Sequence, residues 1–227
     1  MRLGMIIAFT AISLAQRPGP GRTVDSVCWK GFCDYLMVRG GTVIDCGTNP
    51  PEIGPRVVTV GKYVPAAQAL VPKDEAPVYE ARTPSGWTVV ASGYLDKPAL
   101  AVHVRTRFFD PSGKVRLTAS GDPIFLRARA GRLFGGADEE AAVCESDVHA
   151  YTDRCRIWWL PPRGSSAPIK IFDQWSTRIA GFNTEGPQVG VVAVRQTEVN
   201  GDPLRVLHEQ ELWLWDAAAK TLTKAPN

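Results

Sequence analysis

Between Leu100 and Ser120 the chain alternates oily and polar side chains twice. Val102, Val104, Thr106 and Phe108 interleave with His103, Arg105 and Arg107; after Asp110-Pro111-Ser112-Gly113, Val115, Leu117 and Ala119 interleave with Lys114, Arg116 and Thr118. A period of two sends successive side chains to opposite faces of a strand, so the stretch predicts two strands, each oily on one face and basic on the other. The residues between them suit a type I turn: Asp leads, Pro pre-sets the next φ, and Gly closes it without a Cβ. A four-residue loop of this kind would set Phe108 opposite Val115 and Arg107 opposite Arg116.

The same reading extends along the chain. Short β-prone pieces occur at Tyr35 to Val38, Thr42 to Ile44 and Arg56 to Val60, and a mildly helical Ala66 to Val71 lies between prolines. Val78 to Arg82 and Trp87 to Ser92 flank a second Pro-Ser-Gly turn at Pro84-Ser85-Gly86. Further strands are expected at Ile124 to Arg129, Val143 to Tyr151, Arg156 to Leu160 and Ile169 to Phe172. Ala137 to Ala142 reads as a turn and a half of helix, and Asp173 to Asn183 as ambiguous. Gln188 to Val199 and Leu204 to Trp215 enclose Asn200-Gly201, the strongest two-residue hairpin signal. About a dozen short strands without a long amphipathic helix predict an all-β fold, an antiparallel β-sandwich of immunoglobulin-like or related kind, built from hairpins.

Composition adds bounds. With 227 residues the chain can bury a substantial core, and 21 Gly and 18 Pro without a period fit frequent turns. The net charge of +3 gives no footprint for nucleic acid. Residues 1–15 carry one Arg, an apolar run and Ser13-Leu14-Ala15, the pattern of a cleaved secretory signal; the run is too short to span a bilayer. Residues 16–23 are expected to be disordered, 24–75 to form an N-terminal Cys-containing β segment, and 76–227 the main sandwich domain. The expected location is therefore secreted or periplasmic, with no integral membrane segment after signal cleavage. Five cysteines in an exported chain predict disulfides with one thiol left over. Cys144 and Cys155 should staple a hairpin, and two of Cys28, Cys33 and Cys46 should form a second bridge. A zinc site is disfavoured because four ligands are wanted and no His lies near the N-terminal cysteines.

Candidate chemistry is sparse. From His103 to Arg132 seven Lys or Arg face only Asp110 and Asp122. The expected basic surface comprises Arg105, Arg107, Lys114 and Arg116. Opposed like charges destabilise a strand pair, so an acid should lie close: a neighbouring strand's Glu80, Glu209 or Glu211, or an anionic ligand such as an acidic polysaccharide or lipid headgroup. Trp213 and Trp215, two apart, and Trp158 are the candidate contacts for stacking on sugar rings, against the plainer reading that these rings are core. Glu145, Asp147 and His149 share one strand face, but without a partner segment no metal is expected. Neither a nucleophile elbow nor a zinc-protease motif occurs, so catalysis would have to rest on carboxylates among Asp138, Glu139, Glu140 and Glu145. No cofactor is implied. The expectation is a non-catalytic binding or interaction module, for carbohydrate, another extracellular polymer or a protein partner. The alternatives are an extracellular hydrolase using paired carboxylates and an accessory subunit of a secreted complex.

Overall fold

A computed structural model of the chain describes residues 21–29, 32–47, 56–99, 101–121, 125–147, 152–199 and 202–226. The expected signal segment, most of the expected disordered stretch, the Asn200-Gly201 turn and His149 lie outside the described residues. The fold is all-β, with 68% strand, in four antiparallel sheets of four strands.

The first sheet comprises β1 (Arg22–Trp29), β2 (Phe32–Arg39), β3 (Thr42–Gly47) and β4 (Arg56–Lys62), and the second β5 (Glu75–Arg82), β6 (Thr88–Asp96), β7 (Ala101–Phe109) and β8 (Val115–Gly121). The third contains β9 (Phe125–Gly131), β10 (Glu139–Asp147), β11 (Thr152–Leu160) and β12 (Ile169–Trp175). The fourth contains β13 (Thr177–Asn183), β14 (Gly190–Val199), β15 (Asp202–Asp216) and β16 (Thr221–Lys224). Within each sheet the strand order is the chain order, so every sheet is an uncrossed meander. An immunoglobulin-type sandwich instead interleaves its strands through Greek-key connections.

Several local expectations are revised. β1 already begins at Arg22, and Glu139 opens a strand where a helical turn was expected. The ambiguous stretch resolves into the end of β12 and all of β13, joined by Ser176 in the left-handed region at φ 52°. That residue is where the chain leaves one sheet for the next. The helical stretch after β4 forms a short 3-10 helix (Pro65–Leu70), placed between the first and second sheets in sequence.

The sheets stack through alternation. Val89, Ala91 and Leu95 share one face of β6, and the register sets Phe108, Thr106 and Val102 of β7 beside them. One part of this face packs on Leu36, Val43 and Val60 of the first sheet, and another, with Trp87, on Ala141, Val143, Trp158 and Leu160 of the third. The third sheet's other face, with Ile157 and Phe172, packs on Val191 and Ala193 of the fourth. Each fully buried aliphatic or aromatic side chain contributes about 1.5–3 kcal/mol. Because Ala76, Ala91 and Leu36 belong to one cluster, the Cys-containing segment shares its core with the strands that follow it.

The turns and bridges also lock. Both Pro-Ser-Gly turns form, with Gly86 N–H donating to Thr83 O and Gly113 N–H to Asp110 O. They pack against each other: a Cβ on Gly86, whose φ is 94°, would sit 3.1 Å from Pro111 Cβ. Cys28 and Cys33 are bonded, as are Cys144 and Cys155, and Cys46 is a buried free thiol. Both bridges join residues directly opposite in a strand pair.

Candidate functional site

The three tryptophans proposed as sugar contacts lie in the packing between sheets. Trp158 is only 3% exposed and its ring is 5.1 Å from that of Phe108. Trp213 meets Phe172 edge-on at 5.2 Å, and Trp215 stacks on Phe134 at 5.0 Å. Both are half-buried, with Trp213 Nε1 donating to the buried Glu211 at 3.2 Å. None of the three forms part of an open, flat platform.

The basic hairpin face is an ion cluster. Contrary to the expected register, Arg107 lies opposite Thr118 and Phe108 opposite Leu117, because a bulge leaves Arg116 extra between them and Val115. The like-charge opposition is thereby removed. Arg107 is buried, not part of a basic surface, and donates to both oxygens of the buried Glu75 at 2.6 and 2.7 Å; Arg105 donates to the same carboxylate at 2.8 Å. Burial pushes the Glu75 carboxyl upward, but hydrogen bonds from Arg107 and Ser92 and the two guanidinium charges hold it below its ordinary value. Arg116 pairs with Asp110 at 2.6 Å. The Ser112 hydroxyl and the Ser112 and Lys114 backbone N–H groups also point at Asp110, keeping it well below the usual carboxylate range. The acids that answer the basic face are therefore Glu75 and Asp110, rather than Glu80, Glu209 or Glu211. Lys114 is exposed.

The four acidic residues weighed for hydrolysis are each committed to a local partner. Glu139 accepts from the Ser85 backbone N–H and hydroxyl, Asp138 from Trp159 Nε1 and Lys220, and Glu145 from Arg156. Adjacent in a strand, Glu139 and Glu140 point to opposite faces. Glu140 is fully buried and accepts the Leu133 N–H at 2.9 Å; burial pushes its pKa up to about 7. Among the described residues its Oε1 has no hydrogen-bond partner. No acid pair flanking a shared open pocket is formed by these groups. Among the described residues no group of three metal-ligating side chains converges, and no helix is long and apolar enough to cross a membrane.

The tryptophan most open to solvent is one that pattern reading passed over. Trp175, the last residue of β12, is 57% exposed, and the Arg154 guanidinium carbon lies 4.4 Å from the centre of its ring. Strand register sets the two residues opposite each other. Arg154 is itself fixed by two hydrogen bonds to Asp173, at 2.8 and 2.9 Å, and Asp173 accepts a third from Lys170 at 2.5 Å. Burial opposes ionisation of Asp173, but its bonds to Arg154 and Lys170 prevail and lower its pKa. The result is an exposed indole held by a chain of charged groups on one edge of the third sheet. Its signal in the sequence is the alternation of Asp173 and Trp175 in Ile169-Lys170-Ile171-Phe172-Asp173-Gln174-Trp175, hidden by the ambiguous stretch that begins there. Trp29, beside the Cys28–Cys33 bridge, is the other largely exposed tryptophan, at 55%.

The chain matches no protein-family model, no curated protein and no solved structure. Two disulfides fit an oxidising, extracellular-type environment.

Proposed function

We propose that the protein is an exported, non-catalytic module that binds an extracellular polysaccharide, with Trp175 as its principal contact. The observation that carries this reading is the exposed Trp175 ring backed by Arg154. An indole presents a large apolar surface to water, and a cation behind the ring holds it in place without filling its outer side. Sugar rings offer flat C–H faces that stack on such a surface. Lys170 and Asp173 supply neighbouring groups that donate to and accept from hydroxyls. Because the Arg154–Asp173 pair orders the platform before any ligand arrives, little side-chain freedom is lost on binding.

Affinity electrophoresis through gels containing neutral or acidic polysaccharides tests the reading. Retardation of the natural protein, lost in Trp175→Ala and kept in Trp29→Ala, is the expected result. Retention by no polysaccharide, or equal retardation of Trp175→Ala, would overturn it.

A further inference from the structure

A second site lies on the other face of the third sheet. Leu126, Ala128 and Ala130 of β9 turn toward the second sheet, so Arg127 and Arg129 turn the opposite way. There they meet β13, the edge strand of the fourth sheet, which carries Arg178. Between them is a cleft of about 120 Å³ whose floor is apolar, formed by Ala142, Ile179 and Phe182. A bulge between Ile179 and Gly181 bends β13 at this place.

Three arginines therefore line one small cavity. Among the described residues no carboxylate pairs with Arg129 or Arg178, and Arg129 leans over the Phe182 ring at 5.8 Å. Elsewhere in this molecule clustered arginines are answered by a buried acid, as Glu75 answers Arg105 and Arg107. At this cleft the charges of Arg129 and Arg178 are left for something from outside. An oxyanion would answer those charges, and a guanidinium fork suits its geometry.

From this arrangement we propose that the cleft between β9 and β13 binds a carboxylate or similar oxyanion carried on a small apolar body. The cleft admits one ring or short branch of a ligand, whose remainder would project from its open mouth. The apolar part rests on the floor and the anion meets the rim. The site is independent of Trp175, which lies at the far edge strand of the same sheet.

Benzoate is a suitable probe, followed by amide chemical shifts of residues 127–129 and 178–182. Benzyl alcohol serves as its uncharged counterpart. Gly181 has open space where a Cβ would stand, so Gly181→Leu fills the cleft from a position that tolerates a side chain. Benzoate should shift these amides at about 10 mM or below, with benzyl alcohol at least about tenfold weaker. Arg129→Gln with Arg178→Gln should weaken benzoate at least about tenfold, Gly181→Leu should abolish it, and Trp175→Ala should leave it unchanged. Competition by oligogalacturonate assigns the natural anion to a polymer, and its absence assigns it to a free small molecule; either supports the site. Unshifted amides, equal binding of benzyl alcohol, or unchanged affinity in the double arginine variant would overturn the proposal.

Discussion

Glu75 and Arg107 form a two-pronged ion pair, at 2.6 and 2.7 Å, on the face of the second sheet opposite the one packed on the first and third sheets. Glu75 is only 2% exposed, so removing it strands a buried guanidinium. Glu75→Ala should cost about 3–5 kcal/mol, read as a lower urea midpoint. Glu75→Leu combined with Arg107→Met should cost less than Glu75→Ala alone, since the buried guanidinium is removed with its partner and only the more exposed Arg105 loses an ion pair. A double variant weaker than the single one would mean that the pair itself, not the stranded charge, is what stabilises.

Glu140 gives a pH dependence with a defined sign. A carboxyl whose pKa is about 7 when folded and near 4.5 when unfolded holds its proton more tightly in the folded state. Its contribution to stability is complete below the unfolded value and is lost as pH rises through the folded one. Glu140→Gln keeps an acceptor for Leu133 and carries no charge. The variant should gain on the order of 3 kcal/mol over the natural protein above pH 8, and nothing below pH 4. Parallel stability curves for the two proteins from pH 4 to 8 would refute this.

The Cys144–Cys155 bridge closes a loop with a sequence separation of 11 residues. Replacing both cysteines by alanine should lower stability by about 3 kcal/mol, and the shorter Cys28–Cys33 loop by about 2 kcal/mol. Thermal melts of the two variants compare these effects directly.

Cys46 is 4% exposed, and burial followed by the neighbouring Asp45 charge raises its pKa. Iodoacetamide at neutral pH should leave the folded protein unlabelled and add one group after denaturation without reductant, as intact mass will show. Rapid labelling of folded protein would contradict the burial of this thiol.

Gly121 sits against the Glu145 carboxylate, which is paired with Arg156. A methyl group there has no room, so Gly121→Ala should cost about 1–3 kcal/mol by forcing that buried pair apart. A denaturation midpoint equal to that of the natural protein would show that the sheets give way.

Strand identity was legible where it depends on neighbours in sequence. The alternation from Val102 to Phe108 and both Pro-Ser-Gly turns are local, and so is the closeness of Cys144 to Cys155. Register was less so: Asp110 draws in Ser112, Lys114 and Arg116, and the resulting bulge shifts every later pair of that hairpin. Exposure was hardest to read. Trp213 and Trp175 are both strand tryptophans, and only the packing of the fourth sheet on the third covers one and leaves the other open. Arg178 and Arg127 face a common cleft for the same reason, through a contact between sheets that no spacing along the chain encodes.

The uncrossed meanders bear on how the molecule comes to be made. Each sheet is completed by the stretch of polypeptide that contains it, so a chain emerging from one end can zip up its layers in turn, without waiting for distant segments. Ser176, whose backbone crosses from the third layer to the fourth, then marks the last step. A kinetic defect from rigidifying it should appear in the docking of the final layer and leave the earlier three untouched.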